Sequence, residues 1–354
     1  MPGSGGLGID AAEATTGLGP VPLPVLQIHA SLKCNLLCAH CYSGSGPSAV
    51  GAVPVEAVCQ LIEDAAQLGY RAVAFSGGEP LIYPGLTEAL QQAKGLGLRT
   101  SVTTNGTLLD PARLEALHDL VTVLAISIDG PPDLHNEIRG SPSAFQRLSD
   151  GVANLRSTEI RFGFIHTLTR HSWEHLAWLA EFAHRNGAIL FHIHPLEMFG
   201  RAEMAMRDSM LDEDVLMRSY LLSSALLAKY QGQMRVQVDL VHRDQLLQDP
   251  ARVYAADECD TDRTAAELLS VVVLEPDGSL MPVAYGFSRR FKICNIHEER
   301  FATAWRRYAE TRYPVFRRFC REAFMSLASP SAPQLLSWHD LIVRQSLGWR
   351  ENDA

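Results

Sequence analysis

From residue 25 to residue 196, short runs rich in β-branched and aromatic residues alternate with amphipathic stretches, and that rhythm admits few folds. VLQIHAS (25–31), AVAFSG (72–77), RTSVTTN (99–105), TVLAISID (122–129), RFGFIHTL (161–168) and ILFHIHPL (189–196) predict strands. Helices are predicted near 54–68, 84–96, 110–118, 143–155 and 174–186, several opened by Pro or Asp as helix starts tend to be. Consecutive parallel strands joined by right-handed helical crossovers curl into a barrel or a twisted open sheet, with ligand sites at the strands' C-terminal ends. Every unusual polar motif in this half falls at such an end.

Past FGRAEMA (199–205) the rhythm breaks. LMRSYLLSSALLAKY (216–230) predicts one helix bridging two domains. VVVLEPDGSLMPV (271–283) predicts a hairpin with Asp277 and Gly278 as a two-residue turn, and ERFATAWRRYAE (299–310) predicts a helix. The expected organisation is a flexible leader over 1–23, a barrel over 24–205, a helical bridge over 206–250, an extension over 251–325 and a C-terminal tail over 326–354. A chain of 354 residues, 47% of them hydrophobic, has material for a substantial core. The net charge of −9 argues against a general nucleic-acid binder, which needs clustered Lys and Arg. No run of 18 apolar residues occurs and the N-terminus lacks a signal-peptide pattern, so no membrane association is expected. Scattered thiols fit a reducing, cytoplasmic setting.

Three of the seven cysteines, Cys34, Cys38 and Cys41, stand within eight positions of SLKCNLLCAHCYSGSG (31–46). A disulfide framework does not suit an odd-numbered cluster in a long chain, which leaves a metal or cluster site. Three thiolates leave one iron of a 4Fe-4S cube without a protein ligand. The rival is structural zinc with His40 as fourth ligand, although zinc sites usually close through a second pair of ligands much farther along, and His40 sits awkwardly between Cys38 and Cys41. In FSGGEPLI (75–82), Gly77 and Gly78 strip the backbone so that a ligand can approach its NH and CO groups, and Glu79 offers a carboxylate that suits an α-amino group. The same residues with Pro80 also make an ordinary strand-to-helix turn.

Cys34-x3-Cys38-x2-Cys41 after the first strand, with GGEP after the second, resembles the radical S-adenosylmethionine (radical SAM) superfamily. The resemblance implies an α/β fold, a partial (βα)6 TIM-type barrel, here with a small C-terminal α+β extension. It implies a 4Fe-4S cluster on Cys34, Cys38 and Cys41 whose open iron binds the amino and carboxylate groups of S-adenosyl-L-methionine (SAM). One electron then breaks a carbon–sulfur bond, and the 5′-deoxyadenosyl radical abstracts hydrogen from substrate. By the same resemblance His40 lies near adenine, while Gly77, Gly78, Glu79 and Pro80 receive the methionine amine. TTNGTLL (103–109) and SIDGPPDLHNEIRG (127–140) are similar to stretches of the peptide-modifying branches, in which the residues matching Ser127 and Arg139 help hold SAM. A guanidinium fork suits its carboxylate. Asn105 and Asp129 belong to the same candidate set, and Asn-Gly and Asp-Gly are also plain turns.

EPDGSLMPVAYG followed by ICNIHEERFATAW is similar to the SPASM or twitch extension, which normally carries auxiliary iron-sulfur clusters. Val283 stands where that extension has Cys, Cys294 replaces a usual Gly, and Cys320 lacks neighbouring cysteines. Cys259, Cys294 and Cys320 are one short of four ligands, so they are expected as plain thiols of a domain that kept its fold and lost its metal. A second cluster completed by His, Asp or substrate is the alternative. Cys59 is expected in the core. His192 and His194 share one face of the sixth strand and point into the barrel or the core, and Asp239, His242 and Asp244 are further candidates for acting on substrate.

The resemblance implies a radical SAM enzyme acting on a ribosomally made peptide. Its electron donor would be a flavodoxin- or ferredoxin-type protein. Alternatives are tailoring of a small cofactor, a tetrapyrrole or another natural product, and a non-catalytic zinc-stabilised binding protein.

Overall fold

In the computed structural model, which describes residues 23–256 and 263–351, strand β1 (Val25–Ile28) has a parallel neighbour on each side. On one side the order runs β2 (Ala72–Phe75), β3 (Arg99–Thr104), β4 (Val123–Ser127), β5 (Phe162–Leu168) and β6 (Leu190–Pro195), each parallel to the last. The six expected strands are therefore present in barrel order. Alternate residues along them, such as Leu26, Ile28, Val73, Val102, Leu124 and Phe191, are fully buried.

The crossovers are α1 (Val55–Gln67), α2 (Leu86–Gly95), α3 (Pro111–Leu117), α4 (Pro132–Arg139), α5 (Ala144–Leu155) and α6 (Leu176–Arg185). Helix α1 buries Val58, Leu61, Ile62 and Ala65, the spacing of one helical face. Each of the larger three stabilises the packing by about 1.5–3 kcal/mol. Helix α3 starts where Asp110 accepts the Arg113 N–H at 2.9 Å with Pro111 in the first turn. Helix α4 is not apparent from periodicity. Pro131 and Pro132 preset its start, and Gly140 at φ +64° ends it.

After α7 (Ala202–Ala205) comes the expected bridge helix, α8 (Glu213–Lys229). It begins three residues earlier than predicted because Asp212 accepts the Val215 N–H at 2.9 Å. It leads to a strand not singled out in the sequence, β7 (Arg235–Val238), parallel to β6. Then follow β8 (Val241–His242), α9 (Arg243–Gln248) and α10 (Ala265–Leu268).

Strands β9 (Val271–Leu274) and β10 (Ser279–Pro282) form the expected hairpin, with a different turn. The Glu275 N–H reaches the Ser279 carbonyl at 2.9 Å and the Gly278 N–H the Glu275 carbonyl at 2.9 Å, with Gly278 at φ +83°. Three residues turn the chain, a tight turn closed from Glu275 to Gly278 and followed by left-handed Gly278 as the bulge residue, in place of a two-residue turn. Because β9 pairs with β1, the hairpin and β11 (Cys294–Asn295) continue the barrel's own sheet, ten strands in all. Helices α11 (Phe301–Thr311) and α12 (Tyr313–Ser326) pack behind it. Part of the expected tail is ordered: β12 (Leu335–Leu336) pairs with β8, and α13 (Trp338–Gly348) buries Trp338, Ile342 and Val343. The expected leader lies, but for Leu23, outside the described residues. Among the described residues no helix is long and apolar enough to cross a membrane.

Asp64 on α1 docks the C-terminal half. Its carboxylate, fully buried, takes Arg300 Nε at 3.1 Å and the Ala302 N–H at 3.1 Å at the start of α11. Arg300 is about half exposed, its side chain at 47%. Removing the arginine strands a buried charge, whereas removing the aspartate leaves a guanidinium that water can solvate. Arg300→Ala should therefore destabilise the fold more than Asp64→Ala does. Thermal unfolding midpoints check this, and the opposite order would contradict it.

Candidate active site

The three cysteines lie on the loop that leaves β1. Cys34 and Cys38 are buried and Cys41 is half-buried, and together with Leu36 they form a small cluster separate from the main core. The loop is held by its backbone: the Cys34 N–H donates to the Gly46 carbonyl at 3.1 Å, and the Ala39 N–H to the Ile138 carbonyl at 2.8 Å.

The Gly-Gly turn after β2 lies against this loop. The Gly78 N–H donates to the Ser31 carbonyl and the Glu79 N–H to the Lys33 carbonyl, both at 2.9 Å. A Cβ at Gly78 would stand 2.0 Å from the Lys33 carbonyl oxygen, and Gly77 sits at φ +106°. The backbone that approaches Gly78 in this structure is that of the cysteine loop.

Glu79 is buried and faces β3. Its Oε1 accepts from Thr104 Oγ1 at 2.8 Å and from the Leu81 N–H at 3.1 Å, and its Oε2 accepts from the Asn105 N–H at 2.9 Å. Burial still pushes its pKa up, against the pull of those donors and of Arg139. No cation lies within ion-pair distance of it among the described residues, so an ammonium group would complete the site. Pro80 opens the short turn that follows. Asn105 Nδ2 bonds Asn35 Oδ1 at 2.8 Å and points at Cys34 Sγ from 4.0 Å.

Asp129, at 0% exposure, ties three other candidates together. Arg139 Nε bonds its Oδ2 at 2.6 Å and His40 Nε2 its Oδ1 at 3.1 Å. Burial opposes ionisation of Asp129, but Arg139 and then His40 overcome it and hold the carboxyl well below the usual range. His135 accepts the Asp129 N–H through Nδ1 at 3.2 Å, and burial lowers its pKa to about 4, so it is neutral. Arg139 Nη1 also points at Cys38 Sγ, 3.8 Å away. His40 thus turns Nε2 to Asp129, which removes that nitrogen as a fourth zinc ligand. Ser127, half-buried, closes β4 at the same end of the sheet.

Several residues were missed. Gly200, at φ +59°, runs so close to the loop that a Cβ would stand 2.3 Å from the Tyr42 carbonyl oxygen, and Arg201 Nε bonds the Cys38 carbonyl at 3.0 Å. The Gly-Arg pair at the break after the sixth strand was its only sequence signal. His29, just past β1, stacks on Tyr285 with centroids 4.8 Å apart, and Tyr42 meets Tyr285 edge-on at 5.4 Å. His29 Nδ1 is buried without a partner, and burial lowers the pKa of this ring to about 4. Of the candidates named from the sequence, His192 and His194 on β6 share Asp239, just past β7. His242 and Asp244 lie together at the start of α9, apart from that trio.

The extension's described thiols behave as core. Cys294 and Cys320 are buried in the main apolar cluster, and burial pushes Cys294 up to about 12. Cys59 packs against the same core, and Cys259 lies outside the described residues.

The cysteine loop suits a cluster better than a single ion. Among the described residues, a trio whose ligand atoms lie within 4.8 Å of one another is formed elsewhere, by His192, His194 and Asp239. The N–H donors of Asn105 and Arg139 face two of the sulfurs, as cluster sulfurs favour. Burial raises the Cys34 pKa to about 11, so binding iron displaces a thiol proton there.

Residues 28–183 match the model of the Radical SAM superfamily, to which a 4Fe-4S cluster and SAM are characteristic. An AdoMet-dependent heme synthase of Methanosarcina barkeri is 34% identical over 173 residues, 48% of this chain and 50% of that protein. A PqqA peptide cyclase of Ruegeria pomeroyi is 30% identical over 208 residues, 57% of this chain and 53% of that protein. The chain spans about half the length of these curated relatives. Among solved structures, SuiB of Streptococcus suis bound to S-adenosylmethionine superimposes with a TM-score of 0.65 at 18% identity, over 84% of this chain and 68% of that one. That likeness shows the fold, a partial TIM-type barrel.

The tight fit of the two loops can be tested by adding one methyl group. Gly78→Ala should lower iron uptake in anaerobic reconstitution to well below the roughly four irons of one cube. Gly95→Ala, at a helix position with nothing within 4 Å, should leave it unchanged. Normal iron in Gly78→Ala would show that the contact does not shape the loop.

Proposed function

We propose that this chain, which belongs to the radical SAM superfamily, reductively cleaves SAM and abstracts hydrogen from a ribosomally made peptide. The observation that carries the reading is the backbone-to-backbone seating of the Cys34, Cys38 and Cys41 loop against Glu79 at adjacent strand ends. Cys34, Cys38 and Cys41 would hold the cluster, which when bound would supply the one electron that splits SAM into methionine and the hydrogen-abstracting 5′-deoxyadenosyl radical. Glu79 offers its carboxylate to the methionine amine, and the half-buried Ser127 offers a hydroxyl nearby. Arg139 is oriented by Asp129, which fixes one edge of the guanidinium and leaves Nη2 for the SAM carboxylate. His40, held by the other oxygen of Asp129, stands for the adenine side. The wall of His29, Tyr42 and Tyr285 helps exclude water from the reacting atoms.

A peptide substrate is supported by the longer match to the peptide cyclase, which covers 57% of the chain against 48% for the heme synthase. It is also supported by the fold likeness to SuiB, of which one structure is described as bound to a precursor peptide. The second reading is a tetrapyrrole substrate, favoured by the 34% identity to the heme synthase. The electron would come from a flavodoxin- or ferredoxin-type donor. A cytoplasmic setting fits the unpaired cysteines.

Two experiments test this. Glu79→Gln should keep its cluster iron and lose on the order of a hundredfold in SAM affinity, since it removes the one charge facing the amine. Unchanged affinity in a SAM titration would reject the assignment. With a low-potential reductant, a deuterated substrate should transfer label to 5′-deoxyadenosine. Labelling from a tetrapyrrole instead of a peptide would select the second reading, and unlabelled deoxyadenosine with both classes would refute hydrogen abstraction from them.

A further inference from the structure

Strands β6 and β7 are parallel neighbours with His192 opposite Gln237. His192 and His194, two residues apart, therefore project from one face beside the end of β7, where Asp239 follows. His192 Nε2 lies 2.6 Å and His194 Nδ1 2.8 Å from the same oxygen, Asp239 Oδ2. Fixing a carboxylate rotamer takes one such partner, and here two imidazoles converge on a single atom. The three side chains keep 19%, 31% and 25% of their surface exposed, so an ion can reach them. Glu197 lies beside this trio, its Oε1 3.3 Å from His194 Nε2.

We propose that His192, His194 and Asp239 bind a divalent first-row metal ion at the mouth of the barrel, separately from the cysteine loop. Two imidazole nitrogens and one carboxylate oxygen form a donor set suited to Fe²⁺, Co²⁺ or Zn²⁺, and three protein ligands leave positions open for water or a substrate oxygen. The surrounding shell is already in place. Ligating histidines donate their second ring N–H to a carboxylate, and ligating carboxylates are themselves hydrogen-bonded. His194 Nε2 faces Glu197 Oε1 at 3.3 Å, and Gln237 Nε2 faces Asp239 Oδ1 at 3.3 Å. Metal binding displaces the ring protons that now point at Asp239. The site needs neither SAM nor a reductant, so its test stands apart from that of the proposed reaction.

Cluster-loaded wild-type protein dialysed against Zn²⁺ should retain one zinc per chain in addition to its iron. Zinc-edge X-ray absorption should show nitrogen and oxygen neighbours at about 2.0–2.1 Å and no sulfur shell near about 2.3 Å. His192→Ala and Asp239→Asn should each weaken zinc binding on the order of a hundredfold, and Glu197→Gln on the order of tenfold, with iron content unchanged. Should a substitution disturb the fold and release iron, the absorption spectrum of the wild type decides alone. Zinc retention no greater in wild type than in the His192→Ala/Asp239→Asn variant, or sulfur in the zinc shell, would overturn the site.

Discussion

Two hydrogen bonds, from the N–H groups of Gly78 and Glu79 to the carbonyls of Ser31 and Lys33, join the loop after β1 to the turn after β2, and the candidate site is arranged around them. They work because β1 is itself immobilised, paired with β2 on one side and with β9 on the other. The extension therefore reinforces the strand from which the cysteine loop departs. A third element, the Gly200-Arg201 turn after β6, closes on the loop from the far side through the Cys38 carbonyl. Three strand ends thus set the positions of three thiols by backbone contacts, which leaves the sulfurs themselves available.

Charge inside this frame is distributed unequally. Asp129 has cationic and imidazole partners and is held ionised, whereas Glu79 has only neutral donors at hydrogen-bond distance and is pushed toward its protonated form by burial. A buried carboxylate of the second kind is stabilised by an arriving cation, while one of the first kind is already satisfied. The difference separates a group open to a cationic ligand from a group that orients its neighbours. Asp129 positions Arg139 and His40, and Arg139 in turn faces Cys38.

The strand and helix rhythm of the barrel was legible because each strand alternates or buries β-branched residues and each long helix has one apolar face. Helix α4 was not, since its start rests on prolines and its partners on Asp129 rather than on an apolar stripe. Strand β7 opens on an exposed arginine and buries only Val236, and β12 has just two residues; both exist through their neighbours β6 and β8. The cysteine spacing and the Gly-Gly-Glu turn identified the centre of the site, but the partner that makes Gly78 necessary is the Lys33 carbonyl, 45 positions earlier in the chain. Tyr285 had no local signal. It follows Val283, whose φ of +67° is unusual for a β-branched residue, and only the folded sheet brings it to His29.

Everything in this arrangement turns on whether the three thiols of the loop hold a cluster with an iron open to SAM. Electron paramagnetic resonance of the anaerobically reconstituted, reduced protein addresses it directly. The expected result is the signal of one reduced 4Fe-4S cluster that changes on adding SAM, as direct binding of SAM to the open iron requires. A cluster signal indifferent to saturating SAM, or a colourless protein loaded with zinc at these thiols, would contradict it.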